Sequence, residues 1–291
     1  MAEAVPPWTW ESFSAGDGYC WRYRHYSSAE PPRGQVVCIH GIQSHSGWYE
    51  YSCTRLAQSG WELFFLDRRG AGVNQQDRGD TPSFRRLLDD LAEFLEKRRR
   101  PCFLLGISWG GKLAAAVARR HPGLINGLVL LCPGFKARVS PPFTQRMQIL
   151  WSRLVKPGRR FPVPLNDPEL FTAVPHWQQF IRDDSLGLRE ATARLLVESV
   201  RLDLYLRWVP RHVRVPVLLL LAEHDRIIDN ALTRRYVARF ASEDKETIEY
   251  AAAHHTLEFE PNPDRFIDDL QSWLGRHGEG PVAGRKENQV P

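Results

Sequence analysis

Six residues, Gly106-Ile107-Ser108-Trp109-Gly110-Gly111, are the part of the chain best suited to covalent chemistry. They follow an apolar run at 102–105 and precede an alanine-rich stretch at 112–120, so the serine falls at a strand-to-helix turn. In a G-x-S-x-G turn the serine backbone is strained, and side chains at 106 or 110 would collide with neighbouring main chain. Such an elbow lifts the hydroxyl clear of the sheet and aims the first helical turn at a reacting oxygen. The plainer alternative is a simple turn; the strand before it and the helix after it favour a nucleophile. A serine hydroxyl attacks poorly until a base takes its proton, and that base is a histidine brought by another segment. With an elbow of this kind the acid and then the base follow later in the chain. Asp225, in Glu223-His224-Asp225-Arg226-Ile227-Ile228-Asp229, sits just past the apolar run 217–221. Asp229 is the runner-up, with a surface or helix-start role as its alternative. Further on, Ala252-Ala253-His254-His255 follows a short strand. One of these two histidines should face inward, and periodicity does not choose between them.

The elements that must position these groups are legible as alternating short apolar runs and amphipathic stretches. Strands are predicted at 19–26, 35–39, 63–66, 102–105, 128–131, 217–221 and 247–250, the first with aromatic–polar alternation. Helices are predicted at 49–58, 83–98, 112–120, 231–240 and 264–274. The 83–98 stretch carries Phe84, Leu87, Leu88, Leu91, Phe94 and Leu95 at helical spacing. Strands alternating with helices imply a mostly parallel sheet covered on both faces, with its site at the carboxyl ends of the strands. After Pro133-Gly134 the rhythm changes to a proline-punctuated, mostly helical region, read as a cap over that edge. The expected division is a core at 1–134 and 208–277, a cap at 135–207 and a disordered tail at 278–291.

Several motifs resemble the monoacylglycerol lipase and lysophospholipase branch of the α/β-hydrolase superfamily, the serine aminopeptidase-like hydrolases. They are His40-Gly41-Ile42-Gln43-Ser44-His45-Ser46-Gly47-Trp48-Tyr49, Asp67-Arg68-Arg69-Gly70-Ala71-Gly72 and Asp183-Asp184-Ser185-Leu186. The approach Tyr250 to His255 resembles that branch's Gly-Ala-x-His pattern, and the alignment implies His255 as base. The resemblance covers nearly the whole chain. It implies an α/β-hydrolase fold, about eight mostly parallel strands with helices on both faces and a helical cap insertion. It also implies an oxyanion hole from the backbone N–H groups of Ile42 and Trp109, with His40 and Gly41 shaping the substrate-side loop. Gln43, Ser44, Asn74, Ile107 and Trp109 depart from the branch's usual residues, which bears on the substrate rather than on Ser108, Asp225 or His255.

The chain's net charge is +5, and segment 136–207 holds twelve Lys or Arg against seven Asp or Glu. That excess suggests a face toward something anionic, or simply a solvated surface. Phe143, Met147, Leu150, Trp151, Leu154 and Val155 recur at helical spacing there. They could line an acyl pocket, through Phe143, Met147 and Trp151 above all, dock on a membrane, or pack on the core. The expected reaction is ester hydrolysis of a small-molecule acyl substrate, a monoacylglycerol or lysophospholipid. The alternatives are an aminopeptidase or amidase, whose amine grip would need Asp183, Asp184, Glu190 and Glu198, and a non-catalytic receptor. An aspartate-nucleophile enzyme is excluded by the serine at position 108. No metal or other cofactor is expected, since no ligand cluster has the right spacing. Nucleic-acid binding has only Arg98-Arg99-Arg100 behind it, and those residues suit a helix C-terminus. No apolar run spans a bilayer, residues 1–8 lack signal-peptide character, and five cysteines without pairing spacing suit reduced thiols. The expected location is cytoplasmic, with peripheral contact between the basic cap and an anionic membrane.

Overall fold

Unbroken apolar runs suit strands buried on both faces, and five of them form the middle of one sheet. The computed structural model describes residues 7–28 and 31–278. In chain order its strands are β1 (Thr9–Ser14), β2 (Cys20–Tyr26), β3 (Gly34–Ile39), β4 (Trp61–Leu66), β5 (Cys102–Ile107), β6 (Gly127–Leu131), β7 (Arg160–Pro162), β8 (Glu190–Thr192), β9 (Val217–Ala222) and β10 (Lys245–Tyr250). The helices are α1 (Glu50–Gln58), α2 (Phe84–Glu96), α3 (Trp109–Arg120), α4 (Phe143–Val155), α5 (Pro175–Asp183), α6 (Ala193–Leu206), α7 (Asn230–Ala238) and α8 (Asp264–Gly278). Eight strands lie in the order β1-β2-β4-β3-β5-β6-β9-β10. The pairs from β4 through β10 are parallel, and β1 and β2 add an antiparallel edge.

The register decides which loops meet. Ile39 lies beside Gly106, Ile107 beside Leu131, Leu131 beside Leu220, and Ala222 beside Tyr250. Parallel strands in this register release the loops after β3, β5, β9 and β10 on one edge. Those loops carry His40 to Ile42, Ser108, Asp225 and His255.

Helix α3 starts at Trp109, three residues before the predicted stretch, because the turn at Ser108 feeds straight into it. Helix α2 is capped by Ser83, whose hydroxyl accepts the Arg86 N–H. Between β6 and β9 come α4, the small antiparallel pair β7–β8, α5 and α6. This insertion is tied to the core at several points. Asp203 on α6 pairs with Lys112 on α3 at 2.6 Å, and Glu198 accepts the Phe84 N–H at 3.0 Å. The tail expected at 278–291 falls, from 279 onward, outside the described residues, as do residues 1–6 of the segment lacking signal-peptide character.

Candidate active site

Ser108 has φ 51 and ψ −121, a left-handed conformation that non-glycine residues rarely adopt. The two flanking glycines make it possible. A Cβ at 106 would come within 2.6 Å of the Ala114 Cβ, and one at 110 within 2.5 Å of the Ile39 and His40 carbonyl oxygens. The Ser108 N–H is held by the Leu131 carbonyl at 2.9 Å, and its own carbonyl accepts the Gly134 N–H at 2.7 Å. The backbone is therefore fixed while the side chain projects beyond the sheet.

His255 is buried, with Nε2 2.9 Å from the Ser108 Oγ and Nδ1 2.6 Å from the Asp225 Oδ2. The other Asp225 oxygen accepts the N–H groups of Ile227 at 2.8 Å and Ile228 at 2.9 Å. With those acceptor sites filled, a proton on His255 Nδ1 completes the carboxylate's set and leaves Nε2 free to accept from the serine. His254 turns the other way: its N–H and Nδ1 lie 2.8 and 3.1 Å from one oxygen of Glu260. Asp229 caps α7 by accepting the Leu232 N–H at 2.9 Å, and Glu223 accepts the Ala252 N–H. So the geometry separates the paired candidates by their partners. Cys132 also has its sulfur close to Asp225 and His255, with ligand atoms within 4.8 Å of one another. Both imidazole nitrogens are already engaged, so this cluster is a closed hydrogen-bonded set. Burial and the neighbouring Asp225 push the Cys132 thiol well above its ordinary pKa.

Ser108 opens on a cavity of about 450 Å³ whose wall also includes Ile42 and Trp109. Its other walls are mainly apolar: Met147 and Leu150 from α4, Leu196 and Val200 from α6, and Val163, Leu165, Ile227 and Ile228. Among the residues selected from sequence for substrate contact, Met147 is in the lining. Phe143 and Trp151 are exposed to solvent and lie off it. His40 and Gly41 stand behind the wall, Gly41 so close that a Cβ there would meet the Ser108 Cβ at 3.2 Å. His40 braces the loop. Its Nδ1–H donates to the Gly41 carbonyl at 2.7 Å, and its Nε2 accepts the Arg68 N–H at 3.1 Å. Burial, with Arg68 nearby, holds its pKa well below the ordinary histidine range, consistent with this neutral tautomer.

Sequence reasoning missed Lys112, which lines the cavity with its partner Asp203, and the Trp109 indole N–H bond to the Ser199 hydroxyl at 2.8 Å. Both link α3 to the insertion, and no local pattern encodes a partner on a distant helix. The carboxylates considered for an amine grip are engaged elsewhere or lie off the cavity. Asp184 holds Trp48 at 2.8 Å and His45 at 3.2 Å, Asp183 holds Gln179, and Glu198 holds Phe84 and Arg201. Glu190 is exposed on β8.

An eight-stranded, mostly parallel sheet with helices on both faces and this edge of loops is the α/β-hydrolase fold. A monoglyceride lipase structure from Saccharomyces cerevisiae superposes with TM-score 0.81 at 23% identity, covering 95% of this chain and 98% of that one. The Paleococcus ferrophilus monoacylglycerol lipase superposes with TM-score 0.78 at 24% identity, over 92% of this chain and 99% of that one. Residues 30–262 match the family described as "Serine aminopeptidase, S33", and the chain belongs to that family. A monoacylglycerol lipase of Mycolicibacterium smegmatis is 28% identical over 91% of this chain and 96% of its own length. A phospholipase of Bacillus subtilis is 25% identical over 80% of this chain and 92% of its own.

Proposed function

We propose that this protein hydrolyses carboxylic esters of acyl chains, of the monoacylglycerol or lysophospholipid class, through an acyl-enzyme on Ser108. The observation that carries this reading is the continuous hydrogen-bonded path Ser108–His255–Asp225 at the wall of an apolar cavity. In it, His255 Nε2 takes the hydroxyl proton as Oγ attacks the ester carbonyl carbon. The carbonyl oxygen becomes an oxyanion held by the N–H groups of Ile42 and Trp109. Collapse of the tetrahedral intermediate breaks the ester C–O bond, and His255 returns the proton to the leaving alcohol. Water then enters; His255 takes its proton, and the second collapse frees the acid and restores Ser108. Asp225 keeps the imidazole oriented and stabilises its charged form.

The apolar lining supports an acyl chain as the bound group. Relatives named as lipases of monoacylglycerols and as a phospholipase point to the same class. The engagement of Asp183, Asp184 and Glu198 elsewhere argues against a free-amine grip, and so against the aminopeptidase reading. Segment 135–207 acts as the cap. The exposed apolar residues of α4, with Arg146 and Arg153 on the same helix, support peripheral contact with an anionic lipid surface. Among the described residues no helix is long and apolar enough to cross a membrane.

The test is labelling by a fluorophosphonate together with hydrolysis of a panel of aryl esters and amides of increasing chain length. Ser108→Ala should abolish labelling and lower ester turnover by about 10⁴-fold or more. A variant that keeps most of its turnover would remove Ser108 from the reaction. Faster cleavage of amides than of esters would favour the amidase alternative.

A further inference from the structure

Two adjacent arginines follow β4, and their surroundings differ. Arg69 is explained by its partners: it forks onto both oxygens of Asp90 at 2.9 and 2.8 Å and reaches Asp17 at 2.9 Å. Arg68 is just as buried but has no such pairing. Its Nη2 donates to the Ile42 carbonyl at 2.6 Å, while Nε and Nη1 find no hydrogen-bond partner among the described residues. The neighbouring Asp67 uses its two oxygens on the N–H groups of Ser46 and Val73. A guanidinium taken out of water without a contacting carboxylate is costly. Burial pushes its pKa down to about 10, with Asp67 working against that shift and Arg78 adding to it.

What Arg68 does touch is the candidate oxyanion site. It holds the carbonyl of Ile42, lies over the Trp109 indole with 5.0 Å to the ring centroid, and its backbone N–H anchors His40. Ile42 and Trp109 are the two residues whose N–H groups would bind the developing oxyanion. One side chain therefore braces both halves of that site and brings to its rear a positive charge that no carboxylate contacts. A charge held rigidly in a water-excluded setting acts more strongly on nearby negative charge than the same charge in solvent. Its effect grows as the carbonyl oxygen becomes an oxyanion, so it favours the transition state over the bound ester.

We propose that Arg68 is a positioning residue of the oxyanion site, fixing Ile42 and Trp109 from behind and adding the field of a buried guanidinium that no carboxylate contacts. The inference rests on the ester-hydrolase reading of Ser108. A structural strut alone would support folding without distinguishing ground state from transition state, and that difference is measurable.

The experiment compares wild type with Arg68→Met and Arg68→Lys on a soluble short-chain aryl ester, counting active sites with a fluorophosphonate. Affinity for a trifluoromethyl ketone that forms a tetrahedral adduct is measured alongside. Arg68→Met should lower kcat per active site about 10- to 100-fold, below the ~10²–10³ of a lost direct donor. KM should stay within about threefold, and ketone affinity should fall in step with kcat/KM. Arg68→Lys, which keeps charge without the fork, should fall between, about 3- to 10-fold below wild type. An Arg68→Met enzyme with kcat per site within twofold of wild type overturns the proposal, as does a loss confined to KM. Should Arg68→Met fail to fold, Arg68→Lys decides alone, and an unchanged kcat and ketone affinity would overturn it. Wild-type protein that neither hydrolyses esters nor labels at Ser108 sinks the underlying reading instead.

Discussion

Helices α2 and α4 are each thirteen residues long, and each carries apolar residues at helical spacing. In α2 the stripe is buried: Phe84, Leu87, Leu88, Leu91, Phe94 and Leu95 all pack into the main core. In α4 the stripe Phe143, Met147, Leu150, Trp151, Leu154 and Val155 is exposed, with Trp151 at 65% and Leu154 at 78%. The residues α4 buries are Ile149 and Ser152, and Ile149 packs with Phe161 and Ala193 in a small separate cluster. Alternation of apolar and polar positions states that a helix has an apolar side. What that side rests on depends on whether a sheet lies beneath it. Helix α2 lies against the core, capped by Ser83 and pinned by Glu198, whereas α4 has no side-chain cap and sits in the insertion.

That contrast can be broken by mutation. Leu88 is fully buried, so Leu88→Ala should destabilise the protein by about 2–5 kcal/mol in urea unfolding. A loss under ~0.5 kcal/mol would show that α2 is not the packed partner described above.

A smaller effect is expected at Glu258, where a carboxyl rather than an alkyl group is buried. Burial raises its pKa from an ordinary 4.5 to about 7, against the opposing hydrogen bonds from Ser52. The folded protein thus keeps a proton that the unfolded chain releases between those two values. The stabilisation is complete below about pH 4.5 and is lost as pH rises through about 7. Glu258→Gln should therefore gain stability over wild type progressively from pH 5 to pH 8, by about 1–3 kcal/mol at the upper end. Thermal melts at several pH values measure this, and a constant offset would contradict it.

The smallest stability change belongs to α4. Replacing Trp151 and Leu154 together by Ser should alter unfolding stability by no more than about 0.5 kcal/mol. Binding to vesicles containing anionic lipid should nevertheless weaken several-fold. Destabilisation by more than ~2 kcal/mol would mean that this face is packed after all, and the comparison with α2 would fail.

Much of the candidate site was legible because its signals are local. The glycines at 106 and 110 are required by close main-chain approach, and Asp225 and His255 each follow a strand that ends at the same edge. Position just past a strand favoured Asp225 over Asp229, and the motif resemblance favoured His255 over His254; the structure adds the partners that engage the other two. Glu260 claims His254, and the first turn of α7 claims Asp229. Neither the Lys112–Asp203 pair nor the contact of Arg68 with Ile42 and Trp109 leaves a trace in local spacing.

The amino-acid order by itself determined the alternation of strands and helices, the strained serine turn and the short list of groups able to serve it. Those follow from backbone sterics and side-chain periodicity over a few residues. Only the tertiary structure decided which face of α4 meets solvent, which partners engage His254 and Asp229, and which arginine no carboxylate contacts. These depend on distances between segments tens to hundreds of residues apart, which the parallel register of the sheet sets and no local pattern contains.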